Sequence, residues 1–122
     1  MEGAARVPDG LALLRDALRR FAAERDWDQY HSPKNLAAAL CVEAAELLEH
    51  FQWLTEDASK SLSPEQLSKV NEEMADVLLY LVRLADKLDV NLLDAAKRKI
   101  ELNARKYPAG KARGNSRKYT EL

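Results

Sequence analysis

The chain has 122 residues, a length that suits one domain burying roughly two-thirds of its surface. With 47% hydrophobic and 32% charged residues, its composition excludes bulk disorder. The net charge of −1 argues against a nucleic-acid polymer as partner, and one cysteine, Cys41, excludes an internal disulfide. We find neither an apolar run near the roughly 20 residues of a membrane span nor a signal-peptide core. These features predict a soluble, cytoplasmic protein with no membrane association, folded as one domain over residues 1–122.

Four segments have the apolar periodicity of helices, which predicts an all-α fold. The second and third begin with a Ser-Pro pair, in which the serine caps the helix and the proline takes its first position. Gln66 completes a capping box in the third, and Pro108 ends the fourth. The tail from about residue 109 is basic and is expected to be irregular. The predicted helices cover about Leu11–Arg25 (capped by Asp9), Pro33–Leu54, Pro64–Lys87 and Leu92–Tyr107, with a polar loop at 55–62.

The third predicted helix is apolar on most of its circumference. Val77–Val82 reads Val-Leu-Leu-Tyr-Leu-Val, and a helix that is apolar all round is buried on more than one side. Because four helices offer little room for that, we expect an oligomer.

Charge is distributed unevenly. Residues 41–76 carry nine acidic and two basic side chains, whereas residues 97–122 carry nine basic and two acidic ones. The two stretches are either solvated faces that attract each other or a cation site beside an anion site.

Two acidic pairs lie beside apolar stripes. Glu43 and Glu46 on the second predicted helix are spaced i, i+3, as are Glu73 and Asp76 on the third, where Tyr80 follows on the same face. Partly buried carboxylates are costly unless something positive compensates them. Lysine or arginine partners, bound protons or a metal ion could do so. Four hard oxygen donors favour Mg²⁺, or Mn²⁺ as a substitute, over Zn²⁺.

A di-iron centre is disfavoured, because such bundles use Glu-x-x-His pairs. Here the third residue after Glu43 is Glu46, and the third after Glu73 is Asp76. His50 follows Glu46 by four positions, and we interpret it as a surface side chain.

The paired motif resembles that of the all-α nucleoside triphosphate pyrophosphohydrolases, the MazG-like group. Glu43-Ala-Ala-Glu46 and Glu73-Met-Ala-Asp76 carry the resemblance, with Phe21–Trp27, Phe51–Trp53 and Lys118–Leu122, over about Leu11–Leu122. It implies a four-helix bundle of the MazG-like type, assembled as a homotetramer of two dimers with sites near subunit contacts. It also implies hydrolysis between the α and β phosphates, most readily of dCTP or a 5-modified dCTP, to give dCMP and pyrophosphate in nucleotide-pool house-cleaning.

The resemblance further implies roles for individual residues. The four acids become catalytic Mg²⁺ ligands, one of which also orients or deprotonates the attacking water. Lys99, Asn103 and Lys106, on one face of the fourth predicted helix, would contact phosphates. Vertebrate members carry a pocket histidine where this chain has Leu18, which puts strict cytosine preference in question. The remaining candidates are aromatic side chains for the base (Trp27, Trp53, Tyr80), second-rank contacts (His31, Lys34, Asn35) and tail residues for substrate contact or packing (Lys118, Tyr119).

Two alternatives stay open. One is a non-catalytic helical module that binds a nucleotide or another helix, which would tolerate Glu43→Gln or Asp76→Asn. The other keeps the fold and changes the substrate to dUTP or phosphoribosyl-ATP. Trp27 and Trp53, as stacking residues, favour a base-reading pocket over phosphoribosyl-ATP.

Overall fold

The computed structural model describes residues 9–122, and all regular structure in that range is helical. The prediction of an all-α fold is therefore confirmed. None of the described helices is both long and apolar enough to cross a membrane. The helices are α1 (Gly10–Glu24), α2 (Pro33–Glu49), α3 (Glu56–Ser59), α4 (Pro64–Lys87), α5 (Leu92–Lys106) and α6 (Ala109–Ala112), with 3₁₀ turns at Asp28–Tyr30 and Tyr119–Glu121.

The chain divides after Asp89 into two compact units. In the first, α2 and α1 both pack against α4. Its buried apolar side chains come from all three of these helices: Ala22 from α1, Leu36 from α2, and Val70, Val82 and Ala85 from α4. The second unit contains α5, α6 and the last 3₁₀ turn, where the rings of Tyr107 and Tyr119 meet edge to face with centroids 6.1 Å apart. The expectations of a single domain and a four-helix bundle remain predictions.

The helix starts follow local capping chemistry, as predicted. The Asp9 carboxylate accepts from the Ala12 N–H at 2.7 Å, and Ser32 Oγ accepts from the Asn35 N–H at 3.2 Å. Ser63 and Gln66 form the reciprocal capping box, with bonds of 2.9 and 3.1 Å. Each cap satisfies an N–H that has no partner within its own helix.

One predicted helix boundary was wrong, and two segments expected to be irregular contain short helices. The helix expected to reach Leu54 ends at Glu49, because hydrogen bonds from Phe51 to Leu48 and from Leu54 to Phe51 span three residues and form turns. No proline or glycine marks this end. The polar loop contains α3, capped by the Thr55 side chain, and the tail expected to be irregular contains α6 and a 3₁₀ turn.

Much of the apolar surface of α4 is uncovered in the single chain. Met74, Leu78 and Leu81 are 46%, 38% and 36% exposed, whereas Val70 and Val82 on the same helix are buried. The first unit therefore covers only part of the apolar surface of this helix.

Candidate functional site

One face of α4 carries the polar groups of the site. Glu73, Asp76, Tyr80, Arg83 and Lys87 follow at i, i+3, i+7, i+10 and i+14, a spacing that places them along a single stripe. Helix α2 packs beside this stripe and contributes Glu43. The two ends of the stripe form different structures, an acidic cluster and an ion-paired wall.

The acidic cluster consists of Glu43, Glu73 and Asp76. One carboxylate oxygen from each residue lies within 4.8 Å of the others. The Oε2 atoms of Glu43 and Glu73 are buried and have no hydrogen-bond partner among the described residues. Uncompensated buried carboxylate oxygens are costly, so this cluster is suited to binding a cation.

Crowding of like charge changes the acidity of Glu43. Burial, followed by the neighbouring Glu46 and then Asp76 and Glu73, raises the pKa of Glu43 to about 7. Without a cation, this group therefore titrates near neutral pH. Glu46 acts on the cluster through Glu43, although its oxygens lie outside the 4.8 Å group.

These residues fit a hard divalent cation. Three carboxylates converge, two of them with free buried oxygens, and such a donor set suits Mg²⁺ or Mn²⁺. His50, expected on the surface, is half-buried, with its Nε2 atom 3.8 Å from Glu73 Oε1. That separation is too long for a hydrogen bond.

A cavity of about 250 Å³ adjoins the acidic cluster in the first unit. Asp76 belongs to both the cluster and the cavity wall. The walls are mostly apolar and aromatic, a composition typical of small-molecule sites. The lining residues are Leu18, Phe21, Ala22, Trp27, His31, Asp76, Leu79, Tyr80 and Arg83.

The end of α1 determines where Trp27 lies. The Trp27 N–H bonds the Ala22 carbonyl at 2.9 Å, and the Asp26 N–H bonds the Ala23 carbonyl at 3.2 Å, which is the Schellman pattern. Asp26 takes the left-handed conformation, with φ of 54°, where glycine is usual. The turn brings Trp27 against Phe21, edge to face at 5.6 Å. Both rings then line the cavity.

Arg83 forms the far wall, and sequence analysis missed it. The signal was present, because Arg83 continues the spacing of Glu73, Asp76 and Tyr80. Its guanidinium bonds His31 and Asp28 from the segment that joins α1 to α2. Burial, followed by the charges of Arg83 and Lys87, holds the pKa of His31 below its usual range.

The other predicted contacts lie elsewhere. Trp53 sits in the turn after α2, is 88% exposed and does not line the cavity. In the second unit, Lys99 and Asn103 are exposed on α5. The Lys106 ammonium lies 4.9 Å from the centroid of the Tyr119 ring, and Lys118 is exposed just before that ring. The roles given to these residues remain predictions.

Known proteins resemble this chain in sequence and in structure. A pyrophosphatase from Archaeoglobus fulgidus DSM 4304 is 43% identical, with a TM-score of 0.79 over 86% of this chain and 98% of that one. The proteins named dCTP pyrophosphatase 1 from Homo sapiens and Mus musculus are 51% and 45% identical over 111 residues, 89% of this chain. The chain spans about 65% of the length of these two curated relatives.

The sequence profile of the MazG-like family matches residues 38–122, well over half of the chain. This range contains both acidic pairs and the whole of α4. The chain therefore belongs to the MazG-like family.

Proposed function

We propose that this protein is a nucleoside triphosphate pyrophosphohydrolase that converts dCTP, or a 5-modified dCTP, to dCMP and pyrophosphate. The names of its relatives from Homo sapiens and Mus musculus support this substrate, and the pyrophosphatase from Archaeoglobus fulgidus supports the reaction class. The activity would serve nucleotide-pool house-cleaning in the cytoplasm.

The proposal rests on the position of Asp76, which belongs both to the acidic cluster and to the cavity wall. A nucleotide has two matching parts, a charged triphosphate and a flat aromatic base whose faces stack on aromatic side chains. Phe21, Trp27 and Tyr80 supply faces for the base, and stacking on such rings contributes roughly 1–3 kcal/mol per base.

The cluster of Glu43, Glu73 and Asp76 would hold Mg²⁺, with Glu46 behind Glu43. An ion held there would supply charge neutralisation of the triphosphate and polarisation of the phosphorus. The carboxylates would hold the ion, and one of them would orient the attacking water. Because burial and the neighbouring acids raise the pKa of Glu43 to about 7, its deprotonated form would complete the anionic site.

The remaining predicted roles belong to the same proposal. Lys99, Asn103 and Lys106 contact phosphates, and Trp53, Lys118 and Tyr119 contact substrate. The uncovered apolar residues of α4 support an oligomer, and the resemblance to the family extends this proposal to a homotetramer built from two dimers. Trp53, at 88% exposure, is a side chain that a neighbouring subunit could cover.

Leu18 in the cavity wall favours a wider base range. It gives the wall an apolar side chain with no hydrogen bond to offer the base. Discrimination between cytosine and a related pyrimidine therefore falls to other wall residues, and dUTP is the second substrate to test.

The test is pyrophosphate release from the four dNTPs, the four NTPs, dUTP and 5-methyl-dCTP, in Mg²⁺ and in EDTA. We expect Mg²⁺-dependent release that is fastest with dCTP or 5-methyl-dCTP. A flat profile would keep the reaction and reject the base assignment. No release from any triphosphate, in protein shown to be folded, would reject the reaction and favour a non-catalytic module.

A further inference from the structure

Among residues 9–122, Arg83 is the one charged residue that is buried, with 5% of its surface exposed. Its Nε–H donates to His31 Nδ1 at 3.1 Å, and its Nη2 donates to Asp28 Oδ1 at 2.6 Å. Its Nη1 reaches Asp86 Oδ2 at 3.4 Å. A guanidinium so far from water needs such partners, and three residues share it.

The bond to His31 determines the protonation state of the ring. A guanidinium has donors and no acceptor, so His31 Nδ1 must accept through its lone pair. A ring that accepts at Nδ1 is neutral and carries its one proton on Nε2. The lowered pKa of His31, caused first by burial and then by Arg83, agrees with a neutral ring.

We propose that Arg83 is a positioning residue that fixes His31 as the Nε2–H tautomer, so that this side chain offers a defined hydrogen-bond donor to an acceptor on the edge of a pyrimidine base. The identification of the ligand as a nucleobase rests on the proposed function. The fixed tautomer rests only on the hydrogen bonds of Arg83.

The surroundings of Arg83 hold the guanidinium in one orientation. Asp86 is itself bound by Arg19 through two hydrogen bonds, one of them from Nε at 2.8 Å. Asp28 also accepts from Lys87. Because both Nη atoms of the planar Arg83 guanidinium are hydrogen-bonded to carboxylates, its Nε–H stays directed at His31. The single ammonium of a lysine cannot reproduce this geometry.

The Nε2–H of His31 favours a ligand that presents a hydrogen-bond acceptor to it. A pyrimidine presents carbonyl oxygens on its edge, and cytosine adds an unprotonated ring nitrogen where uracil carries N–H. A donor fixed at Nε2 pairs with any of these acceptors and opposes the N–H of uracil. With Leu18 contributing no polar atom, the polar side-chain groups of the cavity outside the acidic cluster belong to four residues: Trp27, His31, Tyr80 and Arg83.

The first experiment reads the tautomer without turnover. Long-range proton–nitrogen NMR of the imidazole should show the proton on Nε2 of His31 at neutral pH. Adding dCMP with Mg²⁺ should shift that Nε2 resonance. A ring protonated at Nδ1 would overturn the role of Arg83, and an unmoved Nε2 resonance at saturating dCMP would overturn the contact with the base. Pyrophosphate release tests the proposed function separately, so the two failures are distinguishable.

The second experiment is a double-mutant cycle on Arg83→Lys and His31→Phe. Loss of one donor to the base should raise KM for dCTP about 3- to 10-fold, with kcat nearly unchanged because the contact is made equally in ground and transition states. Because Arg83 acts through His31, the double variant should bind no worse than His31→Phe alone. Fully additive effects would show that Arg83 acts independently and would overturn the proposal.

Exposed Arg20 on α1 supplies the matched control, since Arg20→Lys makes the same chemical change away from the cavity. Circular dichroism and the thermal midpoint establish that each variant is folded. If Arg83→Lys does not fold, the NMR measurement on the native protein and the KM of His31→Phe still decide the proposal.

Discussion

Along one face of α4, the half carrying Glu73 and Asp76 and the half carrying Arg83 and Lys87 differ in how charge is compensated. Glu73 has a buried oxygen without a hydrogen-bond partner, and the cluster raises the pKa of Glu43 to about 7. At the other half, Arg83 and Lys87 both bond the Asp28 carboxylate from the segment that joins α1 to α2, and Arg83 also pairs with Asp86 on α4 itself.

This difference indicates two roles: the half with Glu73 and Asp76 is suited to binding an ion, and the half with Arg83 and Lys87 supports the cavity wall. The hydrogen bond from Lys87, followed by the interaction with Arg83, lowers the pKa of Asp28. The hydrogen bond from Arg19 lowers the pKa of Asp86. These carboxylates already have their cations, so they hold the cavity wall in place. The acidic cluster lacks an equivalent cation among the described residues and suits an ion supplied from solution. The cavity lies between the two.

The largest expected effect is on turnover. Glu73→Gln removes one charge from the acidic cluster and should lower Mg²⁺-dependent pyrophosphate release at least about 100-fold, because even outer partners of metal ligands are worth about 10- to 100-fold. Steady-state kinetics at saturating dCTP measure this. Glu72→Gln, on an exposed neighbour, is the control. Equal activity in both variants would contradict the assignment of the cluster.

The next effect is a pH dependence of the metal-free protein. The pKa of Glu43 is about 7 in the native state and 4.5 in its ordinary state. The native protein therefore binds more protons between these values, and its free energy of unfolding should fall as pH rises through that window. Urea unfolding in EDTA at a series of pH values measures the slope.

Mg²⁺ should reverse this loss. Because the ion competes with the proton on Glu43, the thermal shift on adding Mg²⁺ should be larger at high pH than at low pH. Glu43→Gln should flatten the metal-free profile. A slope unchanged in that variant would assign the titration to another group.

A smaller effect is expected at the compensated half. Asp86→Asn removes the charge that binds Arg19 and Arg83 at a side chain only 10% exposed, and should cost about 2 kcal/mol of unfolding free energy. The lowered pKa of Asp86 means that this stability is present above its ordinary pKa of 3.8 and is lost as pH falls through the native value. Chemical denaturation at neutral and acidic pH measures both.

Asp16→Asn is the matched control for that prediction. Its ion pairs with Arg15 and Arg19 lie on the surface, at 41–52% exposure. Such pairs contribute about 0–1 kcal/mol. Equal costs for the two variants would mean that burial does not distinguish them.

The smallest effect is at the end of α4. Asp89 follows the helix in the left-handed conformation, with φ of 55°, which costs a residue with a side chain about 1 kcal/mol. Asp89→Gly should stabilise the protein by at most that amount, since glycine also loses more entropy on folding. A rise in the thermal midpoint checks this, and a fall would show that the Asp89 side chain stabilises the native state.

Local chemistry made much of the fold predictable. The caps at Asp9, Ser32 and Ser63 were correct because a side chain and an N–H three residues on decide them. The end of α2 was missed because Phe51 and Leu54 continue the apolar spacing through a turn without a breaker residue. Trp27 was expected in the pocket, whereas the left-handed Asp26 that places it was not.

The site divides in the same way. Helical periodicity was enough to predict that Glu73, Asp76 and Tyr80 share a face. The packing of the helices was needed to show that Glu43 joins them while Glu46 lies outside the group, and that Arg83 is buried against His31. Periodicity orders side chains along one helix, but which of them meet depends on how α1 and α2 pack against α4.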